Sequence, residues 1–209
     1  MKKALLRIIV ALQFVIAVTV SHSYADTLAD AFSVSYQAEA QGNYQAAIKP
    51  LRAQGAGSSY VGQVRLGWLN YRAKDWQQSI TWYHKASRQA PRAIEPLLGM
   101  MLAQQGAGET YEAIETGQAV LQKDPHNYTA ISRTAWLLYQ RREYVQAAAM
   151  YRKLVDLYPT DTEMLLGLGY SLKLAGNKEE SAQCFTTVLL LSPSNARALE
   201  GLRDGTARP

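Results

Sequence analysis

The chain has 209 residues, with 22 Lys plus Arg against 17 Asp plus Glu, a formal net charge of +5 and a pI near 9.3. Its 48% apolar and 19% charged residues are enough to bury a core, which excludes a disordered chain and a multi-span membrane protein. One Cys (Cys184) and three His (His22, His84, His126) exclude an intramolecular disulfide framework and leave no Cys/His zinc cluster to be read.

The first 25 residues read as an address. Lys2, Lys3 and Arg7 precede a mostly apolar run from Ile8 to Val20, followed by the small residues Ser23 and Ala25 two positions apart. This order predicts a secretory signal peptide over 1–25, cut after Ala25. The apolar run falls short of the roughly 20 residues that span a bilayer as a helix, so a membrane contact is expected only if this segment is retained. From Asp26 onward, 22 less these three leaves 19 basic residues against 17 acidic ones, a balance of +2. The basicity that invites a nucleic-acid partner is largely the targeting signal, and no nucleic-acid partner is expected.

The remainder is organised by a repeat. Pro91, Pro125, Pro159 and Pro193 are each 34 apart and each follows an apolar-periodic run. A second break recurs between them at Ala73-Lys74-Asp75, Gly106-Ala107-Gly108, Arg141-Arg142-Glu143 and Gly176-Asn177-Lys178. Each unit is therefore expected to be two helices of about a dozen residues joined by a short turn. The units fall at about 28–59, 60–91, 94–125, 128–159 and 162–193. The first is irregular, two residues short, with AQGAGSS (53–59) in place of the terminal proline. In the last, Thr160 and Glu163 form a capping-box pattern, and Leu165, Leu168 and Leu172 supply the apolar stripe. Ser194 to Asp204 predicts a final amphipathic helix, with Ala196, Leu199 and Leu202 on its apolar face, covering the last unit.

With this period and with Leu66, Gly67, Tyr83, Ala86 and Pro91 in one unit, Leu97, Ala113, Val120 and Pro125 in the next, Ala147, Tyr151, Leu154 and Pro159 in the third and Leu168, Gly169, Phe185 and Pro193 in the last, the chain resembles the tetratricopeptide repeat (TPR) family, of the exported bacterial type. Gly117 departs from the pattern, standing where the family usually places a bulky residue. The resemblance implies an all-α fold over 26–209: a right-handed α-solenoid of about five helix-turn-helix repeats with a capping helix at about 194–204. It also implies that the first helix of each pair lines a concave, partner-binding side.

Two such helices carry one motif. Arg65-x-x-Trp68-x-x-Tyr71 and Arg133-x-x-Trp136-x-x-Tyr139 are 68 apart, twice the repeat. Arg72 and, in the fifth repeat, Tyr170 complete the candidate groove. The other two units match each other at Glu95-Pro96-Leu97-Leu98-Gly99 and Glu163-Met164-Leu165-Leu166-Gly167, so a two-repeat period underlies the single one. Two readings stand side by side. Gly99 and Gly167 are notches that receive the indoles of Trp68 and Trp136, or the aromatic ridges are open and grip a partner while the Arg residues attract carboxylates.

No nucleophile, phosphate-loop or metal-ligand pattern is present, so neither an enzyme nor a cofactor is expected. The leading reading is a periplasmic scaffold that binds a protein or peptide through its groove in an envelope assembly or export system. A glycan- or peptidoglycan-binding module, taking envelope polysaccharide on the rings, and a self-associating solenoid are the alternatives.

Overall fold

The computed structural model describes residues 27–203. The expected signal segment lies outside these residues. Among the described residues all regular structure is helical, and no helix is long and apolar enough to cross a membrane. The chain divides into two compact units between Pro91 and Arg92.

The first unit holds α1 (27–40), α2 (Tyr44–Ala53), a single 3-10 turn (Ala56–Ser58), α3 (Tyr60–Arg72) and α4 (Trp76–Gln89). Side chains of Asn43, Ser59 and Asp75 accept the N–H groups of Ala46, Gly62 and Gln78, satisfying donors that a helix start leaves without partners. Ala31, Ile48, Leu51, Leu66 and Leu69 form the core, with Phe32, Trp68 and Trp82 packed on it. The irregular AQGAGSS segment has a steric reason. Gly55 turns the chain at φ 67°, and Ala56 is then fully buried. A Cβ on Gly62 would lie 1.9 Å from the Ala56 carbonyl oxygen, and one on Gly57 2.6 Å from the Trp82 ring. Close backbone approach replaces the proline turn of the other units.

The second unit holds α5 (Glu95–Ala107), α6 (Thr110–Lys123), α7 (Tyr128–Gln140), α8 (Tyr144–Leu157), α9 (Thr162–Leu174), α10 (Lys178–Leu191) and α11 (Ala196–Arg203). Consecutive helices pack as antiparallel pairs, and α7 and α9 also meet directly, as do α9 and α11. The second helices begin at Thr110, Tyr144 and Lys178, in steps of 34. Pro125, Pro159 and Pro193 each lie two residues past a helix end, where the missing N–H breaks no ladder. The helix stop inside each pair is also periodic. Gly42, Lys74, Gly108, Arg142 and Gly176 all have positive φ. The N–H of the residue after each one reaches back five positions to a helix carbonyl, as in Asn177 to Leu172 and Glu143 to Leu138, closing the left-handed cap.

Rings pack onto several helical glycines. A Cβ on Gly167 would lie 2.5 Å from the Tyr151 ring, and one on Gly201 2.5 Å from the Phe185 ring. Where Gly117 replaces the usual bulky residue, Thr134 and Met101 close the space, with Thr134 Oγ1 2.3 Å from the position of an added Cβ. Two local expectations are corrected. The cap of α9 is Asp161, whose Oδ1 accepts from Glu163 and Met164, and not Thr160. The carboxylate one residue later reaches the free N–H groups, so the helix begins at Thr162. On α11 the buried residues are Ala198 and Gly201, while Leu199 is 37% exposed. The Phe185 ring pressing on Gly201 brings the small-residue face inward.

Candidate functional site

The two Arg-Trp-Tyr copies share a ring ladder. In the first, Trp68 stacks on Tyr71 with centroids 5.7 Å apart, and Tyr71 meets Trp76 at 5.4 Å. In the second, Trp136 stacks on Tyr139 at 5.9 Å, and Tyr139 meets Tyr144 at 5.5 Å. The i and i+3 positions of one helix put the first two rings side by side, and the start of the following helix supplies the third.

Their surroundings differ. Arg65 is only 7% exposed and is ion-paired with Glu39 of α1. Its Nη2 donates to Ser35 Oγ at 3.1 Å, and the guanidinium lies 3.8 Å over the Tyr36 ring. Trp68 Nε1 donates to the other Glu39 oxygen at 2.5 Å. Burial opposes ionisation of the Glu39 carboxyl, but the Trp68 and Arg65 hydrogen bonds outweigh it and hold the pKa below the ordinary value of 4.5. Arg72 covers the same ladder from solvent, over the Tyr44 and Trp68 rings, and donates to the Tyr44 hydroxyl at 2.5 Å. Arg65, Trp68, Tyr71 and Arg72 are thus engaged by their own unit.

The second copy is open. Trp136 is 45% exposed. With Arg133, Tyr139 and Tyr170 it lines a groove of about 640 Å³, which Gln105 and Arg197 also border. Its helical walls are α7 and α9, with α5 and α11 at the two ends. Arg133 is half-buried and donates from Nη1 to the neutral Gln105 Oε1 at 3.1 Å. Across the groove Glu163 pairs with Arg197, and the Tyr170 hydroxyl donates to the Arg197 carbonyl at 2.7 Å. At the edge, the Tyr128 hydroxyl donates to Asp161 at 2.7 Å. Burial and the Asp161 carboxylate push the Tyr128 pKa up to about 12. Among the described residues, the site therefore offers an aromatic floor, a cation (Arg133) in no ion pair, and a neutralised ion pair.

The notch at Gly167 is occupied by Tyr151 and not by Trp136, which leaves the indole facing the groove. Sequence reasoning missed Gln105, Tyr128 and the Glu163–Arg197 pair. A signal for Gln105 was present: it lies three residues before Gly108 as Glu39 lies three before Gly42, and in both cases the glycine N–H donates to that residue's carbonyl. Cys184 is buried, and that burial pushes its thiol pKa up. His84 and His126 are exposed.

Residues 98–162, which span most of α5 and all of α6, α7 and α8, match the tetratricopeptide repeat family. Among curated proteins the chain is similar to the Protein CTR9 homolog of Arabidopsis thaliana, 27% identical over 158 residues that make up 74% of this chain and 14% of that protein. The chain thus spans about a seventh of that relative's length. Among solved structures it is similar to a tetratricopeptide repeat protein from Parabacteroides merdae, with a TM-score of 0.75 and 21% identity over 86% of this chain and 72% of that one. It is also similar to YrrB, described as a TPR protein with an unusual peptide-binding site, with a TM-score of 0.69 and 10% identity over 83% of this chain and 90% of that one. The chain thus carries tetratricopeptide repeats over residues 98–162, and its described residues share the helical-repeat fold of these solved structures.

Proposed function

We propose that this protein is a non-enzymatic scaffold, exported by its N-terminal segment to the bacterial envelope, that holds a protein or peptide partner in the groove of its second unit. One observation carries the reading: an indole 45% exposed on a pre-stacked ring ladder beside a half-buried arginine. Large rings already fixed by packing lose little conformational freedom on binding, and Trp, Tyr and Arg are the residues that dominate interface energetics. The peptide-binding site described for YrrB supports the same use of the fold. The charged, apolar and small-residue order of residues 1–25 supports the exported location.

The test is a photocrosslinking residue placed at Ser132, which lines the groove, or at exposed Gln183 as a control, in the full chain expressed in its own cells. A discrete adduct from position 132, absent from position 183 and found in the envelope fraction, is expected. Equal adducts from both positions would remove the groove from the account, and adducts confined to the cytoplasm would remove the envelope.

A further inference from the structure

The two copies of the motif allow the ligand chemistry of the second to be read from the first. Glu39 and Gln105 are equivalent positions, each three residues before the left-handed glycine that ends its helix. Arg65 and Arg133 are equivalent too, each nine residues before the positive-φ residue that ends its own helix, Lys74 or Arg142. In the first copy the Glu39 carboxylate bridges Arg65 and the Trp68 indole N–H. In the second copy the same backbone position carries an amide, so Arg133 meets a neutral oxygen. A half-buried guanidinium is stabilised by a carboxylate far more than by an amide.

We propose that the second copy is a receptor for an acidic side chain: a Glu or Asp carboxylate of the partner segment enters the groove and is held between Arg133 and the Trp136 indole N–H, as Glu39 is held in the first copy. The inference rests on the groove being the partner-binding site, and it adds which partner group anchors there. The groove supplies the other requirements. Arg133 and Trp136 both line it, and Glu163 on its far side is already paired with Arg197, so it does not neutralise Arg133. Residues flanking the partner's acid would meet Tyr139, Tyr170 and Met164, which favours apolar or aromatic neighbours.

The test uses two blocked tripeptides, acetyl-Phe-Glu-Phe-amide and acetyl-Phe-Gln-Phe-amide, titrated to millimolar concentration into the full chain. The Trp136 indole N–H resonance, assigned by its loss in Trp136→Phe, is the readout. The Glu peptide is expected to move this resonance and to bind at least about tenfold more tightly than its Gln twin, the difference between an ion pair and an amide hydrogen bond to the same guanidinium. Gln105→Glu, which supplies the carboxylate from within, is expected to abolish the discrimination. Arg133→Gln is expected to do the same without adding a charge, which covers the case in which the first variant misfolds. Equal binding of the two peptides would overturn the carboxylate anchor while leaving the groove as a peptide site. An unmoved Trp136 resonance with both peptides would also overturn the anchor, and the crosslinking at Ser132 then decides the groove reading separately.

Discussion

The same seven-residue ridge occurs once in each unit, with opposite fates. In the first unit α1 lays Ser35, Tyr36 and Glu39 over Arg65 and Trp68, and the ridge is part of the fold. In the second, the equivalent of Glu39 is Gln105, Gln140 stands where Arg72 would be, and among the described residues no contact comparable to Arg72–Tyr44 covers the rings. The lesson is that a motif's role is set by its neighbours' charge and reach. Arg beside Trp and Tyr is an internal clamp where a carboxylate is supplied and an open surface where it is not.

The largest way to break the comparison is Glu39→Ala. It leaves Arg65 buried without a counter-charge and is expected to destabilise the first unit by about 3 to 5 kcal/mol. Gln105→Ala, which removes one hydrogen bond from the half-buried Arg133 guanidinium but leaves it open to the groove, should cost about 1.5 kcal/mol. Urea unfolding followed by fluorescence reports on the first unit, where Trp68, Trp76 and Trp82 lie, and Trp136 reports on the second.

Next in size is the pair of indole deletions. Trp68→Ala removes a ring packed on the core and should cost about 2 to 3 kcal/mol. Trp136→Ala removes a ring facing the groove and should stay within about 1 kcal/mol while weakening partner capture. Similar losses of stability in the two variants would show that both rings are structural.

Acid should separate the units further. The folded-state pKa of Glu39 lies below 4.5, so its contribution is fully present above that pH and is lost as pH falls through the lowered value. Acid unfolding of the first unit should lose this slope in Glu39→Gln.

The smallest effect is one the two units share. Lys74 and Arg142 sit at φ 60° and 63°, where their repeat-mates carry glycine. Lys74→Gly and Arg142→Gly should each raise stability by up to about 1 kcal/mol, because the left-handed conformation is unfavourable for a residue with a Cβ. Thermal unfolding of the single variants would check this, and a drop in midpoint would mean that these side chains hold contacts worth more than the strain.

The helical pairs were legible because prolines and left-handed turns recur at a fixed step, and a period survives any single substitution. Burial on α11 was not: Leu199 suits an apolar face by composition, but the Phe185 ring needs the missing side chain of Gly201, and that fit exists only between helices. The cap at Asp161 was shifted by one residue because Thr160 and Asp161 both suit the role and the backbone decides between them. The aromatic ridges were visible as residues, but their opposite exposures were not. The partners that set them apart, Glu39 and Gln105, lie more than two dozen residues from the arginines they bind.

The most direct test is the solvent exchange of two indole protons in the full chain, with the four Trp signals assigned by single Trp→Phe variants. Trp68 donates to a part-buried carboxylate, whereas Trp136 faces an open groove, so the Trp68 proton should exchange at least about tenfold more slowly. Equal rates, or slower exchange at Trp136, would contradict the assignment of a closed copy to the first unit and an open one to the second.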